Sequence, residues 1–113
     1  GITGKATQII DAYCTAGSTT NIVIRNIGTQ TLSLCNPSSP SWGADAGPDL
    51  CGDITFTKSS GGNWNTPALT VTTTLNVGST ATFTETCGAS TFCNYRLLAS
   101  GSALGPTLAS VQC

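Results

Sequence analysis

Three of the five acidic side chains lie in or beside one loop of the sequence. Asp45, Asp49 and Asp53 fall within the stretch GADAGPDLCGD. Carboxylate and loop carbonyl oxygens are the ligands that calcium takes, so these residues are a candidate calcium site, although their spacing is not that of an EF-hand. The alternative is that Asp45 and Asp49 form Asx-type turns beside Gly and Pro, and that Asp53 begins a strand. We favour the turns and keep calcium as the only candidate cofactor.

The same acids could also be considered as a glycosidase pair, in which two carboxylates share the acid and base steps. Nothing in their spacing supports such a pair. The chain contains no histidine, which removes the commonest general base and any Ser-His-Asp or Cys-His arrangement. We therefore expect no enzymatic activity.

Two tryptophans fall in loops that are rich in Pro, Gly and Ser. Trp42 lies in the interval 36–52 and Trp64 in the interval 59–67. A loop tryptophan can stack on a sugar ring or grip a protein partner. It can also fold back to cap one end of a small core, and we favour capping. A glycan-binding or adhesin role through the two rings remains the alternative.

The six cysteines indicate a disulfide framework. An even number of cysteines in a small domain without a C-x-x-C motif favours disulfides over zinc or reactive thiols. Among the 15 possible pairings we prefer two that close local loops and one that joins the start of the domain to its end. These pairs are Cys35–Cys51, Cys87–Cys93 and Cys14–Cys113. Disulfides persist in oxidising surroundings, so an extracellular or cell-surface location is expected.

The chain carries very few charges. Only 8% of its 113 residues are charged and the net charge is −1, against roughly 25% charged residues in an average domain. Nucleic acid is excluded because it is bound by clusters of cations, and none is present. Insertion of this portion into a membrane is not expected, because no apolar run approaches the roughly 20 residues that a spanning helix needs. One domain over residues 1–113 is the natural organisation.

Alternation of apolar and polar residues predicts short strands throughout. Thr, Val and Ile are abundant and suit strands better than helices. The segment 21–34 is predicted to be a hairpin that turns at Gly28-Thr29-Gln30. The opening strand carries apolar groups on both faces, as if it were buried between two layers, and both tyrosines are expected to pack inward. The eight predicted strands are Ala6–Tyr13, Asn21–Ile27, Leu32–Leu34, Asp53–Lys58, Leu69–Val77, Thr80–Thr86, Asn94–Ala99 and Thr107–Gln112. This spacing predicts an all-β fold, a disulfide-linked antiparallel β-sandwich of immunoglobulin-like class.

The first third of the chain resembles a known family. The stretches ITGKATQIIDAYC and NIVIRNIGTQTLSL, which lie within 2–34, are similar to the outer domain of archaeal type IV pilin-like and archaellin-like proteins. That resemblance implies a β-sandwich on the surface of a filament, preceded in the whole protein by a hydrophobic helix that is not part of this sequence. It implies a non-catalytic structural subunit that self-associates, adheres or binds another surface protein.

Overall fold

The computed structural model describes residues 4–15, 17–34, 53–64, 74–88, 92–99, 102 and 104–113, together with the backbone of 41–42, 50–51 and 69–70. Within these residues there are eleven strands. They are β1 (Thr7–Thr15), β2 (Thr19–Asn26), β3 (Leu32–Ser33), β4 (Ser41–Trp42), β5 (Leu50–Cys51), β6 (Ile54–Ser59), β7 (Leu69–Thr70), β8 (Thr74–Leu75), β9 (Thr80–Thr86), β10 (Phe92–Ala99) and β11 (Thr107–Gln112). No helix in the described part of the chain is long and apolar enough to cross a bilayer.

The strands form the predicted antiparallel β-sandwich of immunoglobulin-like class. One sheet has the order β1-β2-β9 and the other has the order β11-β10-β6-β5. Two further ladders of two residues each pair β3 with β8 and β4 with β7. Every pairing among the described strands is antiparallel.

The core lies between the inward faces of the two sheets, as the alternation predicted. The largest fully buried apolar side chains are Tyr95, Phe56, Phe83, Ile22, Ile24, Leu32, Leu34, Ile54 and Leu97. Phe56 packs edge-on against Phe83, with ring centroids 5.3 Å apart, and stacks on Tyr95 at 5.6 Å. Because Phe83 belongs to one sheet and the other two rings to the second, these contacts hold the layers together.

Disulfides join strand ends at two places. Cys14 at the end of β1 is bonded to Cys113 just beyond β11, and Cys87 is bonded to Cys93. Both are pairs that we preferred from the sequence. The third pair, Cys35–Cys51, lies outside the described residues. Since β1 and β11 are the neighbouring edge strands of different sheets, the Cys14–Cys113 bond closes one side of the sandwich covalently.

The predicted hairpin over 21–34 is wrong. β2 pairs with β1 and β9, whereas Leu32 lies opposite Leu75 in the separate β3–β8 ladder. The cause is Asn26, which is fully buried. Its amide group donates to the carbonyl oxygens of Gln30 and Leu75, and its side-chain oxygen accepts the Gly28 N–H. These bonds direct the chain across the end of the sandwich instead of back along the same sheet.

Three outward-facing apolar side chains also differ from the predictions. The opening strand is not buried on both faces, since Ile10 and Tyr13 are 48% and 45% exposed. A β-bulge between Ile9 and Asp11 shifts the register of β1 against β2, which turns the residues that follow. Val77, which was predicted to face inward, lies in the turn before β9 and is 52% exposed.

The segment before β1 is fixed to the sandwich. The Gly4 carbonyl accepts the Thr29 N–H at 2.9 Å, and the Ala6 carbonyl accepts the Ile27 N–H at 3.1 Å. A side chain at Gly28 would overlap the backbone of Gly4 and Ala6. Only glycine therefore permits this close approach.

A candidate interaction surface

Only one of the three candidate calcium ligands lies in the described part of the chain. Asp45 and Asp49 lie outside the described residues. Asp53 accepts hydrogen bonds from Lys5 Nζ at 2.6 Å and from the Ser33 N–H at 2.8 Å. No group of three or more metal-ligating side chains occurs in the described part of the chain. The metal site stays a prediction, and Asp53 has a structural role at the residue before β6.

The environment of Asp53 sets its protonation. Burial works to raise the pKa of this carboxyl, but the hydrogen bonds from Lys5 and Ser33 and the charge of Lys5 outweigh burial, so the pKa is lowered. The ionised carboxylate therefore joins three segments: the residues before β1, the end of β3 and the start of β6. Of the predicted acidic set, Asp53 is the member that the structure describes, and its contacts stabilise the fold.

Tryptophan 64 lies against an arginine of the four-stranded sheet. The guanidinium carbon of Arg96 lies 4.4 Å from the centroid of the Trp64 ring, a cation–π contact. The ring remains 38% exposed. The side chain of Trp42 lies outside the described residues, so a shared tryptophan platform stays a prediction.

Large apolar side chains occupy outward positions on β10 and β11. Phe92 and Leu98 alternate along β10 with the inward-facing residues, and Leu108 lies directly opposite Arg96 on β11. Leu108 is 67% exposed, Phe92 is 56% exposed and Leu98 is 38% exposed. We call the outward surface formed by Phe92, Arg96, Leu98 and Leu108, with Trp64 beside it, the apolar outer face. Leu98 and Leu108 adjoin Arg96, whereas the hydrogen-bonded pair Asn94 and Ser110 separates Phe92 from them. Exposed apolar side chains of this size favour an interaction site.

A shallow groove runs along the same face. It has a volume of about 220 Å³ and is lined by Thr55, Thr57, Arg96, Leu98 and Pro106. Thr57 and Thr55 lie opposite Arg96 and Leu98 on β6. The groove thus combines two hydroxyl groups, one cation and an apolar wall.

Our sequence reasoning missed this surface. It used the alternation in β10 to place Tyr95 and Leu97 in the core and did not consider the outward apolar residues together. The signal that could have revealed the surface was in the complementary positions, where Phe92, Leu98 and Leu108 stand at sites that a solvated sheet face usually fills with polar residues.

The outer face of the other sheet is different in character. Along β9 the outward positions are all threonine and all exposed: Thr80, Thr82, Thr84 and Thr86. On β2 the facing positions include Asn21 and Arg25. This face is hydroxyl-rich along β9, but it also carries Val23 opposite Thr82 and the exposed Tyr13 opposite Asn21. The row of threonines distinguishes it from the outer face of the four-stranded sheet.

A polar cluster lies at one end of the space between the sheets. Lys58 Nζ donates to Glu85 Oε1 and to the Thr86 carbonyl, each at 2.7 Å, and Tyr95 Oη donates to Glu85 Oε2 at 2.8 Å. Burial, together with the charge of Glu85, raises the pKa of Tyr95. The phenol therefore keeps its proton, and the glutamate has a donor on each oxygen. This arrangement suits a link between the two sheets better than acid–base chemistry.

Taken with its disulfides, the fold defines a β-sandwich domain with exposed apolar side chains beside an arginine on the four-stranded sheet. No protein-family model matches the chain, and no curated protein matches it in sequence. Solved structures do match in fold. The archaellum periplasmic stator protein FlaG from Sulfolobus acidocaldarius aligns with a TM-score of 0.59 at 14% identity, over 94% of this chain and 98% of that one. A chain of the archaellum periplasmic stator protein complex FlaF and FlaG from the same organism aligns with a TM-score of 0.58 at 12% identity, over 92% and 86%.

Proposed function

We propose that this chain is a non-catalytic structural component of an archaeal cell-surface filament assembly. In this proposal the domain lies on the outer side of the cytoplasmic membrane and binds another protein of the assembly. The observation that carries the proposal is the fold likeness to FlaG, which spans nearly the whole of both chains. The second similar structure is of a complex between two such proteins, which supports a role in protein–protein contact.

Three features of the chain support this role independently. Both described disulfides suit an oxidising environment. The apolar outer face gives the domain a surface suited to a protein partner. The described ionisable side chains that are most buried, Glu85 and Tyr95, are held by hydrogen bonds within the fold.

The chain could be a filament subunit or a stator protein of such an assembly. The resemblance of residues 2–34 implies a pilin-like subunit, whereas the structural likeness is to stator proteins. A component of the assembly is the role compatible with both. Self-association and adhesion are its possible modes of contact, and both would use exposed surface.

A carbohydrate-binding module is the weaker alternative. Arg96 already covers part of the Trp64 ring, and a sugar ring would have to compete for it. We therefore place the tryptophan with the protein-binding surface.

Immunogold labelling of the native host, with antibodies raised against the oxidised domain, tests the proposal. We expect gold particles at the cell envelope or along surface filaments, and no label in a strain from which the gene is deleted. We also expect the deletion strain to lose a class of filament or its motility, with recovery when the gene is restored. Label confined to the cytoplasm, or a deletion strain with unchanged filaments and motility, would contradict the proposal.

A further inference from the structure

The positive charges of this chain fall into two groups. Lys5 is paired with Asp53 at 2.6 Å, and Lys58 is paired with Glu85 at 2.7 Å. Arg25 and Arg96 form no ion pair with any residue that the structure describes. Arg25 is exposed on the hydroxyl-rich face, whereas Arg96 is half-buried on the apolar outer face. Within the described residues, Arg96 is therefore a partly desolvated cation that no carboxylate pairs with.

Arg96 is nevertheless held in one position. Its Nε donates to Thr57 Oγ1 at 3.3 Å, and its guanidinium group stacks on Trp64 at 4.4 Å. A guanidinium group has five N–H donors, and the contacts among the described residues use one of them. The donors on the terminal nitrogens belong to a fork that fits a carboxylate with two parallel hydrogen bonds. An arginine whose position is fixed in advance loses little conformational entropy when it binds.

The residues around Arg96 indicate which side chains a bound segment should carry next to its carboxylate. Leu108 lies opposite Arg96 on one side, and Leu98 lies two residues along the same strand. Both are exposed, and Leu98 lines the groove with Pro106. Apolar side chains on either side of an acidic residue would cover these leucines and exclude water from the ion pair, which strengthens it.

We propose that the apolar outer face binds a segment of a partner protein in which an Asp or Glu is flanked by apolar side chains, with Arg96 as the anchor for the carboxylate. The identity of that partner as a protein of the surface assembly rests on the proposed function. The chemistry of the binding surface does not, and it can be measured on the isolated chain.

A displayed library of random peptides, selected on the oxidised 113-residue chain, is the first test. We expect the enriched peptides to contain an Asp or Glu next to apolar residues. Replacement of that acid by its amide in a synthetic peptide should weaken binding roughly tenfold or more, because a charge-assisted bidentate contact is lost. The Arg96→Gln variant should weaken binding of the acidic peptide to the same extent. The matched control is Arg25→Gln, which removes an exposed arginine from the opposite sheet and should change binding less than about twofold.

Substitutions at Leu108 provide a second test that leaves the core and Arg96 intact. Leu108→Asp places a negative charge opposite Arg96 and should weaken binding of the acidic peptide, whereas Leu108→Lys should retain or strengthen it. Val77→Asp and Val77→Lys change another exposed apolar residue, in the turn before β9, and should have no effect. Thermal unfolding of each variant shows whether the fold is retained.

Several outcomes would overturn the proposal. They are the enrichment of peptides without an acid, equal binding by Arg96→Gln and wild type, no enrichment at all, and selective binding of glycans in place of peptides. If the peptide-binding tests fail while immunogold labelling still places the protein at the cell surface, the proposed binding surface is wrong and the proposed function stands. If acidic peptides bind as expected but the antibody labels the protein only in the cytoplasm, the proposed function is wrong and the binding surface stands.

Discussion

The two described disulfides should differ in their contribution to stability, and the difference can be calculated from the chain. Cys14 and Cys113 are 99 residues apart, whereas Cys87 and Cys93 are six residues apart. In the chain-entropy model the first bond stabilises the fold by about 4.7 kcal/mol and the second by about 2 kcal/mol. For a chain of 113 residues these values correspond to decreases in Tm of about 20 °C and about 9 °C. The double variant Cys14→Ala with Cys113→Ala should therefore lose roughly twice as much as Cys87→Ala with Cys93→Ala.

Burial predicts the opposite order, which makes the comparison decisive. Cys87 and Cys93 are fully buried, whereas Cys14 and Cys113 are only partly buried. If lost packing dominated, the short bridge would matter more. Thermal and urea unfolding followed by circular dichroism measures both variants, with reversibility checked by reheating. A larger loss for the Cys87–Cys93 variant would refute the argument that closure of the long loop dominates.

Three further variants test single contacts. Asp53→Asn should destabilise the fold at neutral pH by about 1–2 kcal/mol. It should also make the free energy of unfolding depend less on pH in acid, because the lowered pKa of Asp53 contributes stability that is present above pH ~4 and is lost as the pH falls. Urea unfolding from pH 7 to pH 2 measures both effects. Tyr95→Phe should reduce the loss of stability above pH ~10. The reason is that the raised pKa of Tyr95 contributes stability that is present below the ordinary tyrosine pKa and is lost as the pH rises. If this reasoning is wrong, the free energy of unfolding measured from pH 8 to pH 11 will change with pH equally in the variant and the wild type. Gly28→Ala should cost more than about 1 kcal/mol because its Cβ would overlap the backbone; the control Gly62→Ala, which meets no atom within 4 Å, should leave Tm nearly unchanged.

Alternation along single strands was a reliable guide because it depends on local geometry. In β9 and β11 the predicted bounds, Thr80–Thr86 and Thr107–Gln112, match the structure. Side chains on a strand point alternately to the two faces, so Phe83 could be placed in the core from its position in the pattern. The same principle failed in the opening strand, since a β-bulge inserts a residue that shifts the pattern.

Pairing between strands was harder to predict because it depends on distant residues. Gly28-Thr29-Gln30 has the composition of a hairpin turn, but Asn26 bonds to Leu75, which is 49 residues away. The candidate site depends on similar long-range contacts. Trp64 and Arg96 are 32 positions apart, and only the pairing of β6 with β10 brings their segments together. The type of each residue suggested binding, but the partner of each could not be predicted without the register.

The contacts that stabilise the sandwich lie between its sheets, whereas the residues proposed to bind a partner lie on its outer surface. Disulfides, the aromatic stack and the Lys58–Glu85–Tyr95 cluster all lie between the sheets or at their joined edge. Their interactions are satisfied within the domain, so substitutions on the outer surfaces need not weaken them. Of the two outer surfaces, the one formed by β9, β2 and β1 presents a row of threonine hydroxyl groups that water already solvates, together with the exposed Tyr13. The other presents Leu108 and Phe92, whose apolar side chains water solvates poorly, and a fixed arginine. Because exposed leucines lie beside a fixed cation only on the four-stranded sheet within the described residues, we expect this sheet to face the partner in an assembly.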